Sequence, residues 1–264
     1  MASASDSPAL PAERARPALL WVGVVPFFLF ALLFLLLPTL NIVLGAFRDS
    51  NGAFTLDNLK NLSQPSIVAS YWISIRVSLA SAFLGCVIGF GIAAALTMGD
   101  LPGWLRGPVL TFSGVASNFA GVPLAFAFLA TLGRLGLVTV FLREWFGVNL
   151  YALGFNLLSF WGLTLTYLFF QIPLMILIIT PALDGLKKEW REAASILGAT
   201  GWQYWRIVAF PILWPSLLGT FALLFANAFG AVATAYALTG SSLSIVPILL
   251  FAQIGGAVLQ DPHL

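Results

Sequence analysis

The chain is 264 residues long, with 12 lysines and arginines against 10 aspartates and glutamates and a formal net charge of +2. Hydrophobic residues make up 60% of it and charged residues only 8%, where a soluble domain carries about 25% charged. So few charges exclude a water-facing surface all round, the near-balanced sign gives no indication of nucleic acid, and the single cysteine, Cys86, excludes an internal disulfide or a multi-thiolate metal site.

The chain therefore reads as an all-α membrane protein, and its charge-free stretches count the spans. A helix needs about 20 apolar residues to cross about 30 Å of hydrocarbon. Residues 1–17 are small, polar and proline-rich and are expected to form a cytoplasmic tail. The apolar run after them is longer than the 7–15 residues of a signal-peptide core, so it is expected to stay as the first span, 18–47. Further spans are predicted at 72–98, 107–133, 153–180 and 213–238, giving five within one transmembrane domain, 18–264. The last apolar piece, 243–259, carries Pro247 and the pair Gly255–Gly256 and reads as a re-entrant or interfacial segment on the outer side. Cytoplasmic loops favour Lys and Arg. With the N-terminus inside, Arg14, Arg16, Arg106, Lys187, Lys188, Arg191 and Arg206 fall inside, and Arg48, Lys60, Arg134 and Arg143 outside. Trp21, Trp72 and Trp104 lie near span ends, where indole rings prefer to sit.

Several chemistries are missing. No lysine precedes Ser or Thr, so there is no phosphate-binding Walker loop. His263 is the only histidine, which excludes an HExxH zinc site and a Ser–His protease. No Asp or Glu lies within the spans, whereas proton-coupled carriers use such groups as relays. A sodium site of backbone carbonyls would still allow a self-sufficient channel or secondary carrier. Otherwise the energy for any transport comes from outside the chain, and no catalytic residue, metal or cofactor is expected within it.

The loop 184–211, between the fourth and fifth spans, differs from everything else. Trp190, Ala193, Ala194 and Leu197 recur at the spacing of one helix face, with Lys188, Arg191 and Glu192 off that stripe. Gly198 ends the helix, Gly201 allows a second change of direction, and Trp202 to Val208 lead into Pro211. Two readings stand: a short helix docking in a groove of a partner, or one lying in the headgroups held by Trp190, Trp202 and Trp205.

The same loop resembles the EAA motif of permease subunits of type I ABC importers. Glu192-Ala193-Ala194 is followed at the family spacing by Gly198, with Val208 and Phe210 in place of the usual Ile and Leu, and Pro211 in register. FTLDNLKNL, after the first span, resembles an outer segment of permeases for polyamines, ferric iron, phosphonate and sulfate. The resemblance covers nearly the whole chain. It implies six spans, with the chain stopping where the sixth would begin, as expected of a truncated sequence. It further implies a bacterial inner-membrane location, a dimeric partner ATPase that binds ATP and magnesium, a second permease chain, identical or homologous, and an extracytoplasmic binding protein. The helix around Glu192 would enter a cleft of the ATPase, Glu192 making a polar contact there or merely pairing weakly with Lys188. The substrate it suggests first is spermidine or putrescine, then ferric iron or phosphonate.

Within the spans, Gly85 and Gly89, and Ala222, Ala226 and Gly230, form small-residue stripes that read as helix-packing faces. Asn118, Gln171 and Asn227 are amides that either bond between helices or line a pathway, with Asn227 the best placed. Arg76, beside Trp72, is expected to reach the headgroups or to face an anionic substrate.

Overall fold

A computed structural model describes residues 17–48, 52–56, 58, 60, 62–99, 101–240, 243 and 245–250. The expected cytoplasmic tail and most of the segment 243–259 lie outside the described residues. Those described are helical, with no strand beyond an isolated bridge between Arg48 and Phe54. The chain divides into two compact units at the Gln64–Pro65 boundary.

In the first unit, α1 (Pro17–Phe30) runs through a π-helical stretch, Ala31–Leu36, into α2 (Leu37–Gly45). The widened turn precedes Pro38, which has no amide to donate and whose ring crowds the carbonyl four residues back. No side chain from Val24 to Gly45 is buried, and the stretch is apolar all round, the surface that suits lipid. Beyond α2 the chain folds back. The Asn58 side-chain amide donates to the carbonyls of Ala46 and Arg48 at 3.2 and 3.0 Å, and the Phe47 and Phe54 rings stack with centroids 6.1 Å apart.

The second unit contains α3 (Pro65–Met98), α4 (Arg106–Ala116), α5 (Val122–Leu132), α6 (Leu137–Phe146), α7 (Phe160–Asp184), α8 (Lys188–Ile196), the one-turn α9 (Gly201–Tyr204), α10 (Phe210–Phe229) and α11 (Val232–Thr239). Its centre is α7 against α3. One face of α3 is built of small residues: Ser70, Ser74, Ser78 and Ser81 are buried, as are Ala82 and Ala93. Gly85 and Gly89 continue this face. A methyl group on Gly85 would stand 2.9 Å from the Gln171 Cβ, and one on Gly89 only 2.6 Å from the Met175 Cβ. The Gly85–Gly89 stripe is therefore a packing face, where missing side chains let two helix backbones approach. The second stripe differs from its expectation: Ala222, Ala226 and Gly230 are all exposed, because α10 turns the face bearing Leu213, Leu217 and Leu224 inward instead.

Five helical stretches are long and apolar enough to cross a membrane: Val24–Gly45, Ile67–Met98, Val122–Phe146, Phe160–Asp184 and Gly201–Phe229. The number is the expected one, but the bounds are not. The expected continuous span 107–133 is two helices, α4 and α5, interrupted at 117–121. Gly121 there has φ +77° and ψ −152°, open to glycine and strained for any other residue, and Pro123 lies in the first turn of α5. The expected fifth span, 213–238, is likewise interrupted at Gly230–Ala231 and begins earlier, at Gly201. The fourth starts at Phe160 rather than 153, since Asn149, Gly154 and Asn156 form turns and Ser159 caps α7 by accepting from the Gly162 amide.

Both interruptions are pinned by hydrogen bonds to neighbouring helices. The Tyr167 hydroxyl, on α7, donates to the Ala231 carbonyl at 2.9 Å, and the Gly121 amide donates to the Thr234 hydroxyl at 2.7 Å. Removing the first, by Tyr167→Phe, strands a carbonyl beside a buried ring and should cost about 1–3 kcal/mol, read as a lower thermal midpoint of the purified chain with its helix content unchanged.

Candidate functional site: a helix–turn–helix loop and a cavity between broken helices

The loop after α7 is built from local signals. Asp184, at the end of α7, pairs with Arg106 at the start of α4, tying two helix ends together. Lys187 is extended (ψ 135°) and opens α8. That helix ends in a Schellman motif, with the Gly198 amide donating to the Ser195 carbonyl at 3.0 Å and the Ala199 amide to the Ala194 carbonyl at 2.9 Å. The motif requires a left-handed residue, and Gly198 supplies it with φ +77°; nothing lies within 4 Å of where its Cβ would stand. Its role is conformational, not steric. Two residues later Thr200 starts α9 through a capping box: its amide donates to the Gln203 side-chain oxygen at 2.7 Å, and the Gln203 amide donates to its hydroxyl at 3.3 Å. A helix stop and a helix start thus sit within three residues, and the spacing from Glu192-Ala193-Ala194 to Gly198 is the length of chain needed to reach the stop.

The loop's faces differ from the sequence pattern. Of the stripe Trp190, Ala193, Ala194 and Leu197, only Ala194 is partly buried, packed with the cluster that holds Leu183, Tyr204 and Leu213. Leu197 and its neighbour Ile196 are both 86% exposed, and Trp202 is 75% exposed, so the turn presents an apolar tip. The stripe fails as a buried face because α8 is short and, of these four residues, packs against the body through Ala194 alone. Glu192 and Ala193 are exposed. Trp205, which the headgroup reading would place at the lipid surface, packs edge-on against Phe90 at 6.0 Å. Pro211 is exposed at the start of α10, after the π-helical Trp205–Ala209, the offset already seen at Pro38.

The second feature is a cavity of about 440 Å³ where both broken helices meet α7. Ser117, Gly121, Phe170, Asn227, Gly230 and Thr234 are among its walls. Phe170 is the eleventh of the 25 residues of α7, which puts the cavity near mid-depth. Of the three expected amides, Asn227 alone reaches it. Asn118 is exposed and donates to the Gly114 carbonyl of its own helix at 2.9 Å. Gln171 is fully buried and donates to the Leu224 carbonyl at 2.8 Å, holding α7 to α10. Ser117 and Thr234 were not singled out by sequence, although Gly121–Pro123 and Gly230 mark the interruptions that place them. Among the described residues no group of three His, Cys, Asp or Glu is placed to hold a metal. Arg76 stacks over Trp72 at 5.8 Å and is exposed.

Interrupted apolar helices around a mid-depth cavity, with a polar helix–turn–helix at one end, define a polytopic membrane permease. Residues 87–255 match the family described as the inner membrane component of binding-protein-dependent transport systems, and the chain belongs to that family. Its relatives include the probable sulfate transport permease cysT of Chlorella vulgaris, 30% identical over 65% of this chain and 61% of the relative. They also include CysT of Escherichia coli, 28% identical over 86% and 78%, and CysW of Synechococcus elongatus, 25% identical over 88% and 73%. The chain thus spans less than two thirds of the Chlorella relative's length. In fold it is similar to a bacterial ABC transporter involved in the import of alginate (TM-score 0.68, 17% identity, 91% of this chain and 85% of that one). The same holds for the alginate transporter in complex with an alginate-bound periplasmic protein (TM-score 0.69, 15% identity, 92% and 84%).

Proposed function

We propose that this chain is the permease subunit of an ATP-driven importer of sulfate or a closely related tetrahedral oxyanion, set in a bacterial cytoplasmic membrane. The observation that carries the reading is the exposed α8–α9 turn, which presents Ile196, Leu197 and Trp202 to a partner without burying them. In this reading the turn faces the cytoplasm and docks in a cleft of an ATPase dimer, which binds the ATP and magnesium. Glu192 lies at that surface. A second permease chain completes the pathway against the exposed face of Ala222, Ala226 and Gly230, and an extracytoplasmic binding protein delivers the substrate. Movement of the docked turns switches the pathway between its two openings.

The relatives named for sulfate move the substrate away from spermidine and putrescine. The cavity agrees with that choice. Its walls hold Ser117, Asn227 and Thr234 and no carboxylate, so a dication would find no counter-charge. The N-terminal ends of α5 and α11, at Gly121 and Ala231, border it with the positive ends of their dipoles. A self-sufficient carrier would have no use for the docking turn.

The test is uptake of labelled sulfate by cells lacking their own sulfate permeases and supplied with this chain and its partner subunits. Sulfate should accumulate only with ATPase present, and excess spermidine should leave uptake unchanged. Competition by spermidine, or uptake without any ATPase, would overturn the substrate or the energy source respectively. Asn227→Leu removes a hydrogen-bonding group from the cavity and should lower sulfate uptake roughly tenfold, at the ~1.5 kcal/mol of a bond to a charged ligand, with the amount of inserted chain unchanged.

A further inference from the structure

A second cavity, of about 630 Å³, lies where α3 and α7 end and α4 and α8 begin, and Arg106, Asp184, Lys187, Lys188, Arg191 and Glu192 line it. Four cations there face two carboxylates. Asp184 is already neutralised by Arg106, and among the described residues no ion pair involves Lys187, Lys188, Arg191 or Glu192. The N-terminus of α8 opens at the same place; its cap residue Lys187 offers no side-chain acceptor, and the acidic residue of its first turn, Glu189, is not among the cavity walls. Cations usually avoid that end of a helix, whose dipole is positive. The cavity is therefore short of negative charge.

A positive surface at a helix end is common in membrane proteins and alone indicates no ligand. Here a second observation joins it. An apolar groove of about 260 Å³, with Phe83, Val87, Phe90 and Trp214 among its walls, runs between α3 and α10. Positions 83, 87, 90, 94 and 97 of α3 advance by alternate fours and threes and so share one helix face. That face lines the groove at Phe83 to Phe90 and the cationic cavity at Thr97 and Met98. At 1.5 Å per residue the two are about 10 Å apart along α3. A ligand that fits both has an anionic head and an apolar tail.

We infer that this face of the protein binds one anionic phospholipid of the leaflet on the α8 side, its phosphate held by Lys187, Lys188 and Arg191 and an acyl chain lying in the groove beside Phe90. The inference rests on the membrane-spanning reading of the chain and not on its transport function. Because the headgroup would touch the base of α8, such a lipid fixes the angle at which the turn leaves the membrane.

The test is native mass spectrometry of the purified full chain exchanged into detergent containing phosphatidylglycerol, phosphatidylcholine or inorganic phosphate, with thermal midpoints recorded alongside. One phosphatidylglycerol should be retained and phosphatidylcholine should not. Retention should weaken roughly a hundredfold in Lys187→Gln/Lys188→Gln/Arg191→Gln and about fivefold in Arg191→Gln alone, as expected for cations near an anionic headgroup. The single variant serves if the triple one does not fold. Val87→Trp, which fills the groove, should also release the lipid. Equal retention of both lipids, or of phosphatidylglycerol by the charge variants, would overturn the proposal. Displacement by millimolar inorganic phosphate would overturn it too, leaving a site for a free oxyanion.

Discussion

Gly89→Leu should yield no folded protein: the variant is expected in the membrane fraction but without a monodisperse peak on size exclusion in mild detergent. A first methyl at this position would stand 2.6 Å from the Met175 Cβ, 2.8 Å from its Cγ and 2.9 Å from the Ile172 carbonyl oxygen. Two of these three atoms belong to backbone or to its first side-chain carbon and cannot swing away, so α3 and α7 must separate. Overpacking a well-filled core costs about 1–3 kcal/mol where the neighbours can yield. Here they cannot, and the helices driven apart also hold Gln171 and Tyr167, whose hydrogen bonds tie α7 to α10 and to the interruption at Ala231. Gly91→Leu is the matched control. It lies two residues along the same helix, exposed, with nothing within 4 Å, and should purify as the parent does. A monodisperse Gly89→Leu with the parent's thermal midpoint would show that α3 and α7 do not approach as described.

The second large effect falls on the turn. If the chain works as proposed, Gly198→Val should abolish sulfate uptake while leaving insertion, helix content and the basal ATPase activity of the assembled complex unchanged. With open space around Gly198, the cost of a side chain comes from φ +77° alone. The left-handed region costs an ordinary residue about 1–2 kcal/mol, and asparagine tolerates it best. The series is therefore ordered: uptake should remain nearest normal in Gly198→Asn, fall roughly tenfold in Gly198→Ala, and be lowest in Gly198→Val. A steric role would give a different order, with the small alanine tolerated best and asparagine and valine both failing. That order would falsify the Schellman account of the motif, and unimpaired uptake by all three would remove the turn from coupling altogether.

The sequence carried the turn almost completely. The glycine at the end of the helix, which the sequence showed, and the Thr200–Gln203 cap, which it did not single out, are both local and satisfied by hydrogen bonds within a few residues. What it did not carry was which side of α8 meets the body. The Trp190 to Leu197 stripe has helical period, but only Ala194 lies over the core, because a helix this short is positioned by the chain entering and leaving it. The two stripes of small residues were indistinguishable as sequence. One is closed by α7 and the other is open, and the difference lies in the residues opposite, Gln171 and Met175, more than eighty positions away.

The amides show the same division. Asn118, Gln171 and Asn227 are alike in type and in their apolar surroundings, yet one caps its own helix, one holds two helices together and one borders the cavity. A hydropathy pattern cannot separate them, since each outcome depends on the azimuth at which a helix faces its neighbours.

By itself, then, the sequence determined that this chain lives in a membrane, that it has five stretches able to cross one, that no lysine in it sits in a Walker phosphate-binding loop, and that the loop 184–211 is a stopped and restarted helix. Composition and local hydrogen bonding decide all of these, and both are written along the chain. The tertiary structure alone decided that the expected third and fifth spans break beside Phe170, that the breaks border a cavity reached by Asn227, Ser117 and Thr234, and that cations from the start of α4 and the start of α8 line one hollow. Those facts depend on residues brought together from far apart, through packing of small faces whose partners no local pattern names.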